Sequence, residues 1–283
     1  MYFDAIFLGF GSISEMVAQG LVEDGKSIAI ITRMKTQIYS KHPLIVDKSL
    51  ILDWSEATVR NIQSRKAFVV WRNCDFMFSD NFQDSKMRSW LFSDQFQTLE
   101  LVHLSSASVY EDSKMIRSES SPILYDSPKR KVEILLSQLV RSKECAVTNL
   151  RISNIYGDSI KSGFIFDCLQ AIEKEKYLMV FQNPDIERDY LHIGDLVQAI
   201  LKLPSQMHSE RVINVSTGIG TRVSKVLEII SNLSKSKPLL QTVRAPENIQ
   251  ESSILSCEKL KGLIQWSPKP LNEGLSSLIL RSE

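Results

Sequence analysis

A tyrosine and a lysine four residues apart, Tyr125 and Lys129, carry the strongest chemical signal in this sequence. Four residues is just over one helical turn, so the spacing predicts that both side chains project from one helix face, which Glu133 continues. A cationic neighbour lowers the pKa of a phenol below its ordinary value of about 10. With a serine hydroxyl from Ser105–Ser108 alongside, the pair could move a proton to or from a carbinol oxygen during hydride transfer. The same spacing also occurs by chance, so its meaning depends on the elements around it.

The elements that must position these residues begin with a glycine turn near the start of the chain, Gly9–Ser14. Asp4–Leu8 is predicted to be a strand, Glu15–Asp24 a helix and Ser27–Ile31 a second strand. Strand, glycine turn, helix and strand in this order are typical of a dinucleotide-binding unit. A glycine turn that binds no ligand is the alternative.

Each small residue of this turn has its own predicted role. Gly9 permits the tight turn, and Gly11 lets the backbone approach the pyrophosphate of the cofactor. The pyrophosphate would lie at the helix N-terminus, on the backbone of Ser12 and Ile13. Ser14 stands where the usual pattern has a third glycine, which weakens the motif.

The residues after the second and third strands bear on the choice of cofactor. An NAD site usually has a carboxylate after the second strand, whereas an arginine accommodates the extra phosphate of NADP. Arg33 and Lys35 therefore favour NADP(H), with NAD(H) as the alternative if they are ordinary solvated charges. Asp53, which follows the predicted strand Ser49–Leu52, is a candidate partner for the adenine ring.

Strands and helices continue to alternate along the chain, and they predict a Rossmann-type doubly wound parallel α/β sheet. The strand Leu99–Leu104 delivers the serine cluster to its carboxyl end, where ligands bind in such sheets. The further predicted strands are Ala67–Trp71, Ala146–Ile152, Leu178–Phe181 and Arg211–Val215. The further predicted helices are Asp80–Gln97, Arg130–Val140 (which continues the helix of Tyr125), Phe164–Glu173, a helix that ends at Leu203, Ser224–Leu233 and a last one before Leu280.

These elements predict two regions. Residues 1–157 are expected to form an NAD(P)-binding Rossmann domain, with 187–217 packing back onto it. Residues 158–283 are expected to form mainly a smaller C-terminal α/β region that binds the substrate.

The composition is that of an ordinary globular protein. Lys plus Arg total 34 against 33 for Asp plus Glu, a near balance that does not favour a nucleic-acid partner. The longest apolar runs are strand-sized and no basic segment leads into an apolar core at the N-terminus, so we expect neither a signal peptide nor a membrane partner. The scattered cysteines predict no metal site, reduced buried thiols and a cytoplasmic protein. They are Cys74, Cys145, Cys168 and Cys257.

The sequence resembles the extended short-chain dehydrogenases/reductases of the nucleotide-sugar epimerase/dehydratase branch. The likeness covers nearly the whole chain and depends on seven segments in the right order. They are Gly9–Ser14, Ser105–Tyr110, Tyr125 with Lys129 and Glu133, Leu150–Gly157, Arg188–Asp195, Asn214–Gly218 and Lys259–Leu275.

The resemblance implies a role for each reactive residue. Tyr125 would be the general acid and base, and Lys129 would hold the nicotinamide ribose and lower the pKa of the tyrosine. Ser106 would supply the serine hydroxyl of the catalytic triad and, together with Ser108, would contact the substrate.

The resemblance also implies roles later in the chain. Arg188 would contact the diphosphate of a nucleotide sugar, with Asn154 as a further substrate contact. An ion pair of Arg188 with a neighbour such as Asp189 is the alternative. His192 and Asp195 match positions that look structural. Family members often form homodimers through the helix of the tyrosine and its neighbour.

Departures from the family pattern reduce the number of reactions that the resemblance allows. Ala107 and Ser108 follow Ser106, where a dehydratase of this family has an acidic pair, so dehydration is disfavoured. The leading hypothesis is an NADPH-dependent reductase of a C4 keto group on a nucleotide-linked sugar. The alternatives are a nucleotide-sugar 4-epimerase that retains NAD and a non-catalytic dinucleotide-binding sensor or regulatory protein. Ser14, Glu111 in place of a usual glycine and the unusual segment Trp71–Asp75 support the sensor.

Overall fold

A computed structural model of the chain describes residues 1–33, 38, 43–70, 82–143, 145–182, 186–205, 210–246 and 250–280. The chain divides into two compact units. The first unit consists of Met1–Val109, Leu124–Arg151 and Ile200–Ile213, and the second of Tyr110–Ile123, Ile152–Ala199 and Asn214–Glu283. The expected boundary at residue 157 differs from this division, because residues 110–123 leave the first region and belong to the second unit.

The first unit is built on a seven-stranded parallel sheet, which confirms the predicted fold class. Its strands are β1 (Tyr2–Leu8), β2 (Ile28–Ile31), β3 (Ser49–Leu52), β4 (Ile62–Val69), β5 (Phe96–Ser106), β6 (Ala146–Ile152) and β10 (Glu210–Val215), in the order β10-β6-β5-β4-β1-β2-β3. All residues of β2 and β6 are buried, as expected for strands covered on both faces.

Helices connect these strands and supply the rest of the core. They are α1 (Ser12–Glu23), α2 (Pro43–Val46), α3 (Trp54–Ala57), α4 (Phe82–Phe92) and α5 (Pro128–Lys143), with a short 3-10 helix at Ala107–Val109. Side chains from the sheet pack with Trp54 of α3, Met87 and Trp90 of α4, and Val132 and Leu136 of α5 in one apolar cluster. The apolar face of α5 is therefore the face that holds this helix in place.

The second unit contains smaller sheets and its own core. Its strands are β7 (Asn154–Tyr156), β8 (Tyr177–Phe181), β9 (Glu187–His192), β11 (Gly220–Arg222), β12 (Leu239–Val243) and β13 (Ser252–Ser253). Strand β9 pairs with β7, β11 and β13, and β8 pairs with β12. The remaining helices are α6 (Phe164–Glu173), α7 (Ile193–Lys202), α8 (Val223–Ser234), α9 (Glu258–Lys261) and α10 (Leu271–Ile279). Cys168, Tyr190, Val226 and Leu275 lie in its apolar cluster.

The predicted start of β4 and the predicted end of α4 are each wrong by five residues. Strand β4 begins at Ile62 rather than Ala67, because its first half alternates buried and exposed positions instead of forming a continuous apolar run. The helix predicted over Asp80–Gln97 ends at Phe92, and Phe96 already begins β5.

Some predictions lie outside the described residues: those on Lys35 and on the segment Trp71–Asp75 with Cys74. The described cysteines Cys145, Cys168 and Cys257 are buried free thiols. Among the described helices, none combines the length and apolar character that a membrane span requires.

Candidate active site

The glycine turn has the backbone geometry of a close-approach site. Gly9 follows β1 with a φ of +92°, a conformation that L side chains rarely adopt, and its N–H donates to the carbonyl of Ile31 at 2.9 Å. Gly11 has extended backbone, and a Cβ added there would meet no protein atom within 4 Å. The turn therefore leaves open space beside the backbone at Gly11.

The first turn of α1 adjoins this open space. The first amides of a helix have no intrahelical acceptor, and Gly11 as the N-cap provides no side-chain hydrogen bond to them. The amides of Ser12 and Ile13 and the positive end of the helix dipole thus form a setting suited to an anion such as a pyrophosphate. Ser14 is buried, and its small side chain keeps the close packing that a third glycine would allow. These residues fit a dinucleotide.

Arg33 and Asp53 follow β2 and β3, the strands next to β1 in the sheet. The Arg33 guanidinium lies over the ring of Trp54, with Cζ 4.2 Å from the ring centroid. Asp53 is the N-cap of α3, where its Oδ1 accepts from the backbone N–H of Ser55 at 2.9 Å. The glycine turn, Arg33 and Asp53 are thus brought together at the carboxyl edge of three adjacent strands.

The serine cluster ends β5, two strands from β1. Ser105 is buried and donates to Glu133 Oε1 at 2.7 Å, so its hydroxyl has a structural partner. Ser106 is only partly buried, and its Oγ accepts from the backbone N–H of Ser108 at 3.2 Å. Of the two neighbouring hydroxyls, Ser106 is the one that a ligand could reach.

Lys129 is fixed against the same strand end. Its Nζ donates to the carbonyl oxygen of Leu104 at 2.8 Å, two residues before Ser106. The structure therefore brings the predicted cation and the predicted hydroxyl to one point, the carboxyl end of β5.

The placement of Tyr125 on the helix with Lys129 is wrong. Helix α5 begins at Pro128, and Tyr125 lies in the turn before it, with 70% of its side chain exposed. Proline disfavours helical backbone at the residue before it, here Ser127, so the helix cannot extend back to Tyr125. The turn is held instead by the N–H of Leu124, which donates to the carbonyl of Val109 at 2.7 Å.

A buried ion pair beneath this site was not predicted as such. Glu133 on α5 accepts two hydrogen bonds from the Arg151 guanidinium on β6, at 3.0 and 2.8 Å, besides those from Ser105 and Arg130. Burial alone would raise the pKa of Glu133, but its hydrogen bonds to Arg151 and the charge of Arg151 hold that pKa below its ordinary value. Glu133 thus ties the helix of Lys129 to the two strands beside it.

His103, in β5, is completely buried beside this network. Its Nδ1 lies 3.0 Å from Asn149 Oδ1. Burial and the charge of Lys129 lower the pKa of His103 to about 3, so the ring is neutral at physiological pH.

The predicted substrate residues Asn154 and Arg188 lie in the second unit. Arg188, on β9, donates from Nη2 to the carbonyl of Gln250 at 2.7 Å and from Nη1 to the carbonyl of Glu187 at 2.8 Å. Burial lowers the pKa of Arg188, and the nearby charge of Arg117 also lowers it. Asn154 donates to the backbone carbonyl of Asp189 at 3.3 Å.

The alternative of an ion pair between Arg188 and Asp189 is not what the described atoms show. The Asp189 carboxylate accepts from the N–H and hydroxyl of Thr217, at 3.0 and 2.7 Å, and from the N–H of Gly218 at 2.9 Å. Arg188 is therefore held by backbone carbonyls rather than by its neighbour's charge.

His192 and Asp195 have the structural contacts expected of them. His192 ends β9, and its Nδ1 accepts from the N–H of Gly194 at 3.1 Å. Asp195 lies in the first turn of α7 and accepts from the backbone N–H of Lys269 at 2.8 Å.

Two sequence relatives show what this chain is similar to. Over 184 residues it is 26% identical to dTDP-4-dehydro-6-deoxyglucose reductase from Escherichia coli, a match that covers 62% of this chain and 58% of the relative. Over 192 residues it is 22% identical to an uncharacterized protein of Methanocaldococcus jannaschii, covering 65% of this chain and 59% of that protein. The matches thus span less than two thirds of the length of either relative.

Solved structures match over nearly the full chain. MoeE5 in complex with UDP-glucuronic acid and NAD matches with a TM-score of 0.80 and 17% identity over 99% of this chain and 98% of that one. UDP-glucose 4-epimerase from Thermus thermophilus in complex with NAD matches with a TM-score of 0.77 and 19% identity, over 99% and 98% of the two chains. At these identities the likeness establishes the fold.

The model of the NAD dependent epimerase/dehydratase family matches residues 85–216. This range contains the serine cluster, Tyr125, Lys129 and Arg188. Residues 85–216 are therefore similar to the NAD dependent epimerase/dehydratase family, and the chain as a whole has the Rossmann-type fold of the solved structures that resemble it.

Proposed function

We propose that this chain is an NAD(P)-dependent oxidoreductase that acts on a nucleotide-linked sugar, as an NADPH-dependent reductase of a C4 keto group. The observation that carries the proposal is the hydrogen bond from Lys129 to the Leu104 carbonyl, which holds a cation beside the accessible hydroxyl of Ser106. Similarity to the Escherichia coli reductase supports the direction of the reaction.

The cofactor would be held by the residues at the carboxyl edge of β1, β2 and β3. The amides of Ser12 and Ile13 would bind the pyrophosphate, with Gly9 and Gly11 allowing its approach. Asp53 would bind the adenine ring, and Arg33 the extra phosphate of NADP. When bound, the reduced cofactor supplies a hydride and leaves oxidised.

The chain's own residues would manage the oxygen of the substrate. Ser106 Oγ donates a hydrogen bond to the keto oxygen, which polarises the carbonyl for the incoming hydride. As negative charge develops on that oxygen, the hydroxyl of Tyr125 transfers its proton to it, giving the alcohol. Lys129, which also binds the nicotinamide ribose, stabilises the tyrosinate that remains. The tyrosine regains a proton from solvent.

Arg188 and Asn154 would bind the substrate in the second unit, with Ser108 as a further contact. The guanidinium of Arg188 is partly buried, with the charges of Arg117 and Asp112 both near it, and a diphosphate would pair with its positive charge.

A retained-NAD 4-epimerase is the second candidate, because the similar structures of MoeE5 and of the Thermus thermophilus epimerase are complexes with NAD. In that reaction a hydride would pass from C4 of the sugar to NAD and would then return to the opposite face of the same carbon. The reductase differs from the epimerase in two ways: it would prefer NADPH, and it would release its cofactor after each turnover. A dinucleotide-binding sensor without turnover is the candidate from another class.

Replacement of the proposed acid tests the catalytic assignment. Tyr125→Phe should lower kcat about 100- to 10,000-fold with dTDP-4-dehydro-6-deoxyglucose and NADPH, or with UDP-glucose alone for the epimerase, because it removes the transferable proton. The measured affinity for NADPH should change by less than about twofold, since the phenol ring remains. Tyr177→Phe, at an exposed tyrosine of the second unit, is the matched control and should leave kcat unchanged. Unchanged turnover in Tyr125→Phe would remove Tyr125 from the mechanism, and no turnover by the unaltered protein on any sugar nucleotide would favour the sensor.

A further inference from the structure

The contact between Arg33 and Trp54 follows from the register of β2 and β3. Ile31 pairs with Leu52, and the N–H of Thr32 still donates to the carbonyl of Leu52 at 3.0 Å. Arg33 and Trp54 are each two residues beyond that pair, so they lie side by side at the carboxyl edge of the sheet. The guanidinium then lies over the indole, with Cζ 4.2 Å from the ring centroid.

The two side chains differ sharply in mobility. Trp54 is only 7% exposed and packs in the core of the first unit, whereas Arg33 is exposed. The backbone of Trp54 is also fixed, because it begins α3 within a capping box in which Glu56 accepts from the N–H of Asp53 at 2.7 Å. The indole is therefore a rigid platform beneath the long Arg33 side chain, and contact with its face restricts the rotamers of that side chain.

Stacking restrains a guanidinium without using its hydrogen-bond donors. An arginine attracted to an aromatic face lies parallel to it, and its N–H groups point outward in the plane, where they can bind a phosphate in a bidentate manner. A guanidinium that is already oriented loses less conformational entropy on binding. Lysine in the same place would supply charge but neither the planar stack nor the fork of donors.

We propose that Trp54 is a positioning residue for cofactor choice: it holds Arg33 ready to bind a phosphate monoester on the adenosine ribose, and so favours NADPH over NADH. This inference rests on the proposed function. It adds that the preference depends on the aromatic platform and not on the arginine charge alone.

The affinities for NADPH and NADH test this directly. They would be measured by calorimetric titration for the unaltered protein, Arg33→Ala, Arg33→Lys, Trp54→Phe, Trp54→Leu and the double variant Arg33→Ala/Trp54→Leu. We expect Trp54→Leu and Arg33→Lys to weaken NADPH binding at least about fivefold, and Arg33→Ala at least about tenfold, with NADH binding changed less than about twofold. Trp54→Phe keeps an aromatic face and should retain most of the preference. In the Arg33→Ala background, Trp54→Leu should have no further effect on NADPH.

Several outcomes would overturn the inference. Equal weakening of NADPH and NADH by Trp54→Leu would mean that Trp54 supports the whole pocket and not Arg33. A further loss of NADPH affinity on adding Trp54→Leu to Arg33→Ala would show that Trp54 acts independently of the arginine. Because Trp54→Leu alters a core residue and could impair folding, Arg33→Lys provides a second test at an exposed position, and NADPH binding equal to that of the unaltered protein would show that charge alone suffices.

The unaltered protein separates this inference from the proposed function. Tight binding of NADH without a preference for NADPH would reject the role of Trp54 and leave a dinucleotide-dependent enzyme in place. Binding of neither dinucleotide would reject the proposed function, and this inference with it.

Discussion

At the scale of single residues, reactivity in this chain depends on which of two adjacent groups is left accessible. Ser105 and Ser106 are neighbours of the same type, yet Ser105 is bound to Glu133 inside the protein and Ser106 lies at the strand end. Strand residues alternate between faces, so adjacent serines face different surroundings. The choice of Ser106 came from its match to the family motif, since residue type alone does not separate the two.

Tyr125 shows the limit of spacing as evidence. Four residues between Tyr125 and Lys129 predicted a shared helix, but Pro128 lies between them and begins that helix. The restriction that proline places on the preceding residue was available in the sequence and argues for this boundary. The proposed roles of the two residues do not require a common helix, because Lys129 is held by β5 and Tyr125 by its own turn.

The buried histidine makes a prediction about pH and stability. His103 has a pKa lowered to about 3 in the folded protein, against about 6.5 unfolded, so between these values the unfolded chain binds more protons. Stability from this group is therefore fully present above pH 6.5 and is lost as the pH falls below it, by about 2 kcal/mol at pH 5. His103→Gln cannot titrate, so its free energy of unfolding should fall less between pH 7 and pH 5, by about this amount. Urea unfolding of both proteins at the two pH values measures the difference. An equal fall in both would show that His103 does not contribute.

At the scale of elements, the turn between β1 and α1 contains a position where a substitution should weaken ligand binding without affecting folding. Gly11 has extended backbone that any residue adopts, and a Cβ there meets no protein atom within 4 Å. Gly11→Ala should therefore change the free energy of unfolding by less than about 0.5 kcal/mol. The added methyl group would occupy the space through which the pyrophosphate approaches, so dinucleotide affinity should fall at least about tenfold.

Thermal unfolding and calorimetric titration measure these two effects in the same protein. Gly262→Ala is a suitable control, because a Cβ there has ordinary contacts, the nearest at 3.5 Å, and Gly262 lies in the second unit. Unchanged dinucleotide affinity in Gly11→Ala would place the cofactor elsewhere.

The pair Glu133–Arg151 should govern how firmly α5 is attached to β6. Their exposed side-chain fractions are 0% and 3%, so Glu133→Gln would leave the buried Arg151 charge without its counter-charge, at a cost of about 3–5 kcal/mol. Glu228→Gln breaks the exposed pair with Lys225 and should cost less than about 1 kcal/mol. Equal losses of unfolding free energy in Glu133→Gln and Glu228→Gln, measured by denaturant unfolding, would contradict the stabilising role of the buried pair. The double variant Glu133→Leu/Arg151→Met should recover part of the loss, because the buried Arg151 charge is removed together with Glu133, whereas Arg130, 19% exposed, still loses its partner.

The sequence contained a faint signal of this pair. Glu133 interrupts the apolar face of α5, next to Val132 and Leu136, and Arg151 lies between the apolar residues Leu150 and Ile152 of β6. A charge inside an apolar pattern indicates a buried partner, but which residue supplies it depends on how the helix and the strand pack. The bounds of β3 and β6 were predicted to the residue. Boundaries set by caps, turns and alternating patterns, as in β4 and α4, were not.

At the scale of the whole molecule, the order of strands and helices identified the fold from sequence, whereas the division into units was beyond it. Residues 110–123 belong to a unit that their place in the chain does not suggest, whereas 200–213 lie within the segment 187–217 that was expected to pack onto the first region. Such exchanges depend on contacts between distant residues, for example the Tyr110 hydroxyl that donates to Asn214 Oδ1 at 2.7 Å within the second unit. Local periodicity carries no information about these contacts.

The proposed cofactor site lies in the first unit, whereas the proposed substrate residues Arg188 and Asn154 lie in the second. The first unit presents an open glycine turn, an oriented arginine and an anchored lysine at one edge of its sheet. The second unit offers Arg188 and Asn154, and the identity of the sugar nucleotide would be decided by their surroundings. Cofactor binding is therefore the part of the account that can be tested before a substrate is known.

The most direct test identifies any nucleotide released on denaturing the purified protein and then titrates the nucleotide-free protein with NADPH and NADH. The account predicts no retained nucleotide, binding of NADPH with a Kd of about 1 μM or tighter, and weaker binding of NADH. Stoichiometric retained NAD would redirect the function to the epimerase and remove the proposed role of Arg33. Binding of neither dinucleotide would contradict the central claim that this chain is an NAD(P)-dependent oxidoreductase.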